Sequence, residues 1–293
     1  MDQTEGTRPR VAGREPRRIA LVLEYDGTEY RGFQRQTRSR TIQGELERAL
    51  EGLTGAATRT QGAGRTDAGA HAKGQVAAFT TTAPYPQETF QRALNATLPF
   101  DIRVRAAREV DLRFDPRRHA LSRVYRYLIL PRATPSVFWR RYVHQAPEGL
   151  DIELMDRAAR MLVGCHDFRA FSGRGMVRGR GSVRRMMRAE VTRRGSLVAV
   201  ELEADAFLPH QVRRIAGTLV SLGLGKMDIQ GFESLARSGD PAAAGAALPA
   251  RGLYLVRLTY REELEAGDGT GRGLAVRPQI PGTERGEWAP WLR

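Results

Sequence analysis

The order in which hydrophobic periodicities follow one another constrains this chain more than any single residue does. Residues 19–25 (IALVLEY) form a short apolar run closed by Asp26-Gly27, the pattern of a buried strand followed by a turn. Thr41 stands as an N-cap before Ile42, Leu46, Ala49, Leu50 and Leu53, which share one face of a 3.6-residue period, and Gly52 and Gly55 bracket the helix end. Strand patterns at 75–80 and at Ile102–Val110 flank a second helical stripe, Phe90, Ala93, Leu94 and Thr97, that begins after Pro86. A strand at 56–61, the weakest of these patterns, would complete the order β-α-β-β-α-β. The order then returns. Residues 124–130 alternate as a strand, and Leu154, Ala158, Met161 and Leu162 form a helical stripe behind an Asp151 cap. Residues 184–193 and 197–204 make a hairpin across Gly195-Ser196, a two-residue loop suited to a type II′ turn. Its second arm sets Val198, Val200, Leu202 and Ala204 on an apolar face and Glu201 and Glu203 on a wet one. Val212, Ile215, Ala216, Leu219 and Val220 mark a helix, and 253–260 the closing strand.

The simplest account is an α+β chain of two tandem ferredoxin-like β-α-β-β-α-β units with antiparallel sheets, and 293 residues suffice for two such domains. The first spans 18–115 and the second 116–262, while 1–17 and 263–293, polar and without periodicity, read as tails. What repeats is the pattern, since the halves share few residues. No stretch approaches the ~18 apolar residues of a membrane span, and the opening residues lack the apolar region of a secretory signal, so a cytoplasmic protein is expected. Cys165 is the only cysteine, which excludes an internal disulfide and a cysteine metal cluster. The five histidines (71, 119, 144, 166 and 210) show no close-set ligand spacing, so metal-free chemistry is expected.

The charge points to a polyanionic partner. Lys plus Arg number 47 against 33 Asp plus Glu, and only Lys73 and Lys226 are lysine. Arginine presents a planar fork that grips phosphate oxygens bidentately and stacks on bases. A compositional bias toward arginine would explain the scarcity of lysine but not the excess charge. Between Phe168 and Ala189 lie seven arginines (169, 174, 178, 180, 184, 185 and 188), four glycines and no acid. The segment is expected to be a mobile basic loop contacting nucleic acid, with Arg174, Arg178, Arg180 and Arg184 as candidate RNA contacts.

The segment richest in chemistry is Gly62-Ala-Gly64-Arg65-Thr66-Asp67-Ala68-Gly69-Ala70-His71. As a dinucleotide fingerprint it fails, because Asp67 stands where the third glycine belongs, and as a Walker loop it lacks Gly-Lys-Ser/Thr. What remains is one carboxylate near one guanidinium on a bent loop, and the residues alone leave open an Asp67 that merely forms an Asx-type turn.

The string GAGRTDAGAHA resembles the signature of the tRNA pseudouridine synthase A family. EYDGTEYRGFQRQ (24–36), TIQ (41–43), FDPRRHALSRVYRY (114–127), HDFRAF (166–171), FLPHQVRRIAG (207–217) and GLYLV (252–256) resemble further blocks in the family's order, together covering about 18–261. Ala70 stands where valine is common and Gln211 where methionine is usual. The resemblance implies the pseudouridine synthase fold. It also implies conversion of uridine to pseudouridine at positions 38–40 of the tRNA anticodon arm, without cofactor or metal, by a homodimer. It makes Asp67 the nucleophile, Tyr125 the aromatic that stacks on the target base, and Arg213 the basic partner of the nucleophile. Arg65 is expected to hold RNA backbone or the flipped nucleotide, and Tyr127 to point to the sheet face opposite Tyr125. A non-catalytic RNA-recognition protein is the main alternative. The RNP1-like string at Lys73-Gly74 fails it, having Gln75, Ala77 and Thr80 where aromatics are needed. A scaffold subunit, the other alternative, would have no need of an intact GRTDAG loop.

Overall fold

In the computed structural model, which describes residues 15–173 and 181–261, the apolar run of the first strand is buried along its length. This strand, β1 (Arg17–Tyr25), has Ile19, Leu21 and Leu23 fully buried and Ala20 and Val22 nearly so, as an interior strand covered on both faces requires. Helix α1 (Ile42–Thr54) starts where the Thr41 side chain accepts a hydrogen bond from the Gly44 amide. Strand β2 is only Gln61–Gly62, so most of the strand expected at 56–61 is absent. In its place Thr54 and Thr58 satisfy local backbone groups, and the Thr60 amide and hydroxyl donate to Glu47. β3 (His71–Thr81), α2 (Gln87–Thr97) and β4 (Ile102–Val110) complete the first half.

The second half contains β5 (Ser122–Pro131), β6 (His144–Ala146), α3 (Ile152–Arg160), β7 (Gly164–Asp167), β8 (Val183–Arg194), β9 (Leu197–Ala204), α4 (Gln211–Gly223), α5 (Ile229–Ser238) and β10 (Leu253–Thr259). Asp151 caps α3 by accepting from the Leu154 amide, but the helix ends at Arg160, which leaves Met161 exposed and gives the core position to Met155. Gly195 takes φ 59 while Ser196 keeps a negative φ, the sign pattern of a type II′ turn. The sequence reading missed α5, whose buried face is only Phe232 and Leu235.

Among the described residues all ten strands join one sheet in the order β4-β1-β3-β10-β5-β9-β8-β7, with β2 paired to β3 and β6 to β5. Each half keeps the antiparallel ferredoxin-like order, and the halves meet where β10 runs parallel to β3, with Tyr254 opposite His71 and Leu255 opposite Ala72. The sheets are therefore one. The expected wet face of β9 is also closed. Leu197 and Ala199 are buried with Leu128, Leu130 and Val143 under Trp139, Tyr142 and Tyr254, which the 132–143 excursion and β10 supply. Glu201 is buried as well, and it accepts hydrogen bonds from Arg126 and Arg188. Burial alone would raise its pKa, but these two guanidinium groups hold it below the ordinary range.

Candidate active site

Asp67 lies on the loop between β2 and β3, and the backbone on either side of it is held from below. The Ala70 amide donates to the Asp67 carbonyl at 3.1 Å, and Gly69 takes φ 79 at the third position of that turn, where a β-carbon would be strained. Residues of the 24–36 block form the cradle. The Phe33 amide donates to the Thr66 carbonyl (3.2 Å), the Gly69 amide donates to the Tyr30 carbonyl (3.2 Å), and a β-carbon at Gly27 would sit 1.9 Å from the Ala70 oxygen. Beneath the loop, buried Thr66 and Tyr25 share a hydroxyl hydrogen bond of 2.8 Å, and fully buried Gln75 donates to the Gly64 carbonyl at 2.8 Å. These polar contacts replace the ladder that a longer β2 would have supplied. Sequence reasoning missed Tyr25, Thr66 and Gln75 as supports; the one signal was a glutamine opening the apolar run QVAAFT.

The carboxylate meets its partner from the other half of the chain. Arg213, in the first turn of α4, donates from Nη1 to Asp67 Oδ2 at 2.6 Å, while its Nε donates to the Leu248 carbonyl at 2.6 Å. The backbone carbonyl thus aims the guanidinium, and the ion pair joins residues 146 positions apart in sequence. Tyr125 on β5 is buried and stands edge-on to Phe207 with ring centroids 5.1 Å apart. Burial pushes its phenol up to about 12, and the charge on Asp67 adds to this while Arg123 opposes it. The hydroxyl therefore stays neutral at working pH. Tyr127 does not face away from Tyr125. Side chains two residues apart share a sheet face, and Tyr127 is buried in the same core, where its hydroxyl donates to the Pro249 carbonyl at 2.7 Å. His210, which sequence reasoning passed over, takes φ 63 just before α4 and places Nε2 3.9 Å from Asp67 Oδ1. A left-handed conformation costs a residue bearing a β-carbon roughly 1–2 kcal/mol.

The other expected site residues are not gathered at this carboxylate. Arg65 is exposed and makes no hydrogen bond or ion pair among the described residues. Arg184 belongs to β8, opposite His166 of β7, and its Nη1 donates to the Val183 carbonyl at 2.7 Å. The reading of 168–189 as one mobile loop is thereby corrected. Arg169 is buried in a 3-10 turn (Arg169–Phe171) with its Nε donating to the Gly239 carbonyl, and Arg188 on β8 pairs with Glu190 and Glu201. Both are structural cations that had compensating partners elsewhere in the sequence. Arg174, Arg178 and Arg180 lie outside the described residues. Among the described residues, no three His, Cys, Asp or Glu side chains are grouped to hold a metal ion, and no helix is long and apolar enough to cross a membrane.

The assembled carboxylate has one oxygen fixed by a guanidinium and the other toward a histidine, with a tyrosine ring nearby. Such an arrangement suits attack on an electron-poor carbon or removal of a proton. Comparison with known proteins supports the family resemblance. A family described as tRNA pseudouridine synthase matches residues 21–117 and 158–261, more than half of the chain. Proteins named tRNA pseudouridine synthase A from Acetivibrio thermocellus and Geotalea daltonii are each 41% identical over 244 residues, which is 83% of this chain and 100% of theirs. The protein of that name from Roseiflexus castenholzii is 43% identical over 251 residues, 84% of this chain and 92% of its own.

Proposed function

This chain belongs to the tRNA pseudouridine synthase family, isomerases acting on tRNA, and from that premise we propose that it converts uridine to pseudouridine at positions 38–40 of the anticodon arm, with Asp67 as nucleophile and no cofactor. The observation that carries the reading is the Asp67–Arg213 ion pair, 2.6 Å long, formed by two blocks of the family resemblance that only the fold brings together. The bond between N1 and C1′ must break, the uracil must turn in place, and C5 must bond to C1′ and lose its proton while N1 gains one. Asp67 starts this by attacking C1′ or C6 or by taking a ribose proton, and Arg213 holds the carboxylate in line. No second carboxylate is needed, in contrast to a glycoside hydrolase, because water must be kept from the separated base. Tyr125 stacks on the extruded base, whose removal from the stem costs a few kcal/mol that basic surface and the aromatic pocket offset.

Arg65, exposed beside the nucleophile, and the arginines of the 174–184 region supply phosphate contacts in this reading. The enzyme works in the cytoplasm and as a homodimer, the latter as the family resemblance implies. The test is incubation of the purified protein with unmodified tRNA followed by chemical mapping of pseudouridine. Modification confined to positions 38–40 is the expected result; modification elsewhere, or none, overturns the proposal.

A further inference from the structure

Residues 208–211 form a β-turn that is closed twice. The Gln211 amide donates to the Leu208 carbonyl (3.1 Å), and the Leu208 amide donates to the Gln211 side-chain oxygen (2.8 Å). Pro209 occupies the second position of this turn and His210 the third, where φ is 63 and ψ 1. This is type II geometry, whose third position favours glycine or asparagine. His210 is the one non-glycine residue with positive φ among the described residues, and its side chain makes no capping hydrogen bond to α4. Neither the turn nor the helix accounts for an imidazole at this point.

The imidazole faces the reacting carboxylate. Its Nε2 lies 3.9 Å from Asp67 Oδ1, the oxygen that Arg213 does not bond. That gap is too long for a direct hydrogen bond. Behind the ring is Gly173, where a β-carbon would come within 3.2 Å of Nδ1, so the ring is bounded on that side as well. The histidine side chain nevertheless remains 46% exposed.

We propose that His210 is a substrate-positioning residue, whose Nε2 contacts a ribose hydroxyl of the target uridine while the reacting carbon sits against Asp67 Oδ1. The inference rests on the reading of Asp67 as nucleophile. A carbon under attack comes within about 3–3.5 Å of the attacking oxygen, so the nucleotide that presents it lies alongside the Oδ1–Nε2 pair and comes within reach of Nε2, itself 3.9 Å from that oxygen. Tyr125 lies where the base stacks, which leaves the sugar for the histidine. An imidazole nitrogen serves a hydroxyl as donor or acceptor. Its contribution is to orientation, since phosphate contacts supply most of the affinity for tRNA.

The deciding variant is His210→Gly, which removes the ring and relieves the backbone at once. Its melting temperature should match or exceed that of the wild type, kcat on unmodified tRNA should fall by about 10–100-fold, and Kd for tRNA should stay within a few-fold. His210→Asn, which also tolerates the turn but has a shorter side chain, should show the same split. Wild-type kcat in the glycine variant, or a loss confined to Kd, overturns the inference, as does a lowered melting temperature. Asp67→Asn measured alongside separates the two readings. If it abolishes turnover while His210→Gly does not, only the inference about His210 falls; if Asp67→Asn remains active, the nucleophile assignment falls first.

Discussion

The two halves of the sheet treat the same connection in opposite ways. In the second half, β8 of twelve residues turns into β9 through only Gly195 and Ser196. In the first, β2 has two residues and is joined to β3 by the eight-residue loop 63–70 that carries Asp67. The difference has two consequences. A short β2 pairs with β3 only at Ala77 and Ala78, so the edge at His71 and Ala72 is left for β10, and the halves fuse there. The chain released from the ladder becomes the loop that bears the carboxylate at the fusion seam. One truncation thus makes both the joint and the site, and the intact hairpin of the other half shows what the same scaffold does without it.

The largest effect that this comparison predicts is at Asp67. Asp67→Asn is nearly isosteric, leaves the backbone carbonyl that closes the turn on the Ala70 amide and removes the charge, so the protein should fold and bind tRNA. Turnover, followed as tritium released from uridine labelled at C5, should fall by at least ~10⁴, or ~5.4 kcal/mol of transition-state stabilisation. Near-normal turnover would return the loop to the role of a simple turn and end the contrast with the Gly195-Ser196 hairpin.

Next in size is Tyr125, which the second half sets with its hydroxyl beside Gly64 of the Asp67 loop. Removing its ring by Tyr125→Ala should lower turnover by about 10²-fold through misplacement of the flipped base, with tRNA affinity less affected. Tyr125→Phe keeps the ring and its edge contact with Phe207, so full activity in that variant assigns the contribution to stacking alone. A fully active alanine variant would make Tyr125 a core residue like Tyr127.

Amphipathic elements were legible because their period is long enough to read. β4 runs over Ile102–Val110, as its pattern implies, and Thr41 and Asp151 cap the helices they precede. A strand of two residues has no period, which is why β2 was overextended. The burial of Glu201 depends on Arg126, 75 positions away, and no local pattern announces it. At the site, sequence proximity suggested Arg65 as a companion of Asp67, whereas the folded chain brings Arg213. The identity of that partner came from block resemblance and not from spacing. The supports Tyr25, Thr66 and Gln75 stayed hidden because hydrogen bonds beneath a loop join residues that in sequence look like ordinary strand and turn positions.

The seam itself can be tested through Asp26. Its carboxylate accepts from the Tyr142 hydroxyl at 2.9 Å and lies 3.1 Å from His71 Nδ1, so it ties the excursion over the second half to the first residue of β3. Burial would raise its pKa, but hydrogen bonds from His71, Thr28 and Tyr142 outweigh that and hold it well below the carboxylate range. A depressed folded pKa contributes stability above the unfolded value of about 3.9 and loses it as pH falls through the folded one. Asp26→Asn should therefore cost about 1–3 kcal/mol in urea unfolding at pH 7, and the deficit should hold to about pH 4 and shrink only at lower pH. A constant deficit across the acid range would mean that the charge does not hold the seam.

The smallest effect belongs to the connection without chemistry. Gly195 has φ 59, so Gly195→Ala forces a β-carbon into the left-handed region at a cost of about 1 kcal/mol. The added methyl meets nothing within 4 Å, so backbone strain is the whole effect. Turnover per folded molecule should be unchanged, because β8 and β9 keep their register on either side of the turn. Gly69→Ala also adds a methyl into open space, at φ 79, and should cost a similar amount of stability. It differs in disturbing the turn that closes on Asp67, so it should lower turnover as well. Urea midpoints and tritium release measured on both variants decide the matter: equal losses of stability with unequal losses of turnover are expected, and a parallel loss of turnover in Gly195→Ala would show that the hairpin of the second half also governs the site.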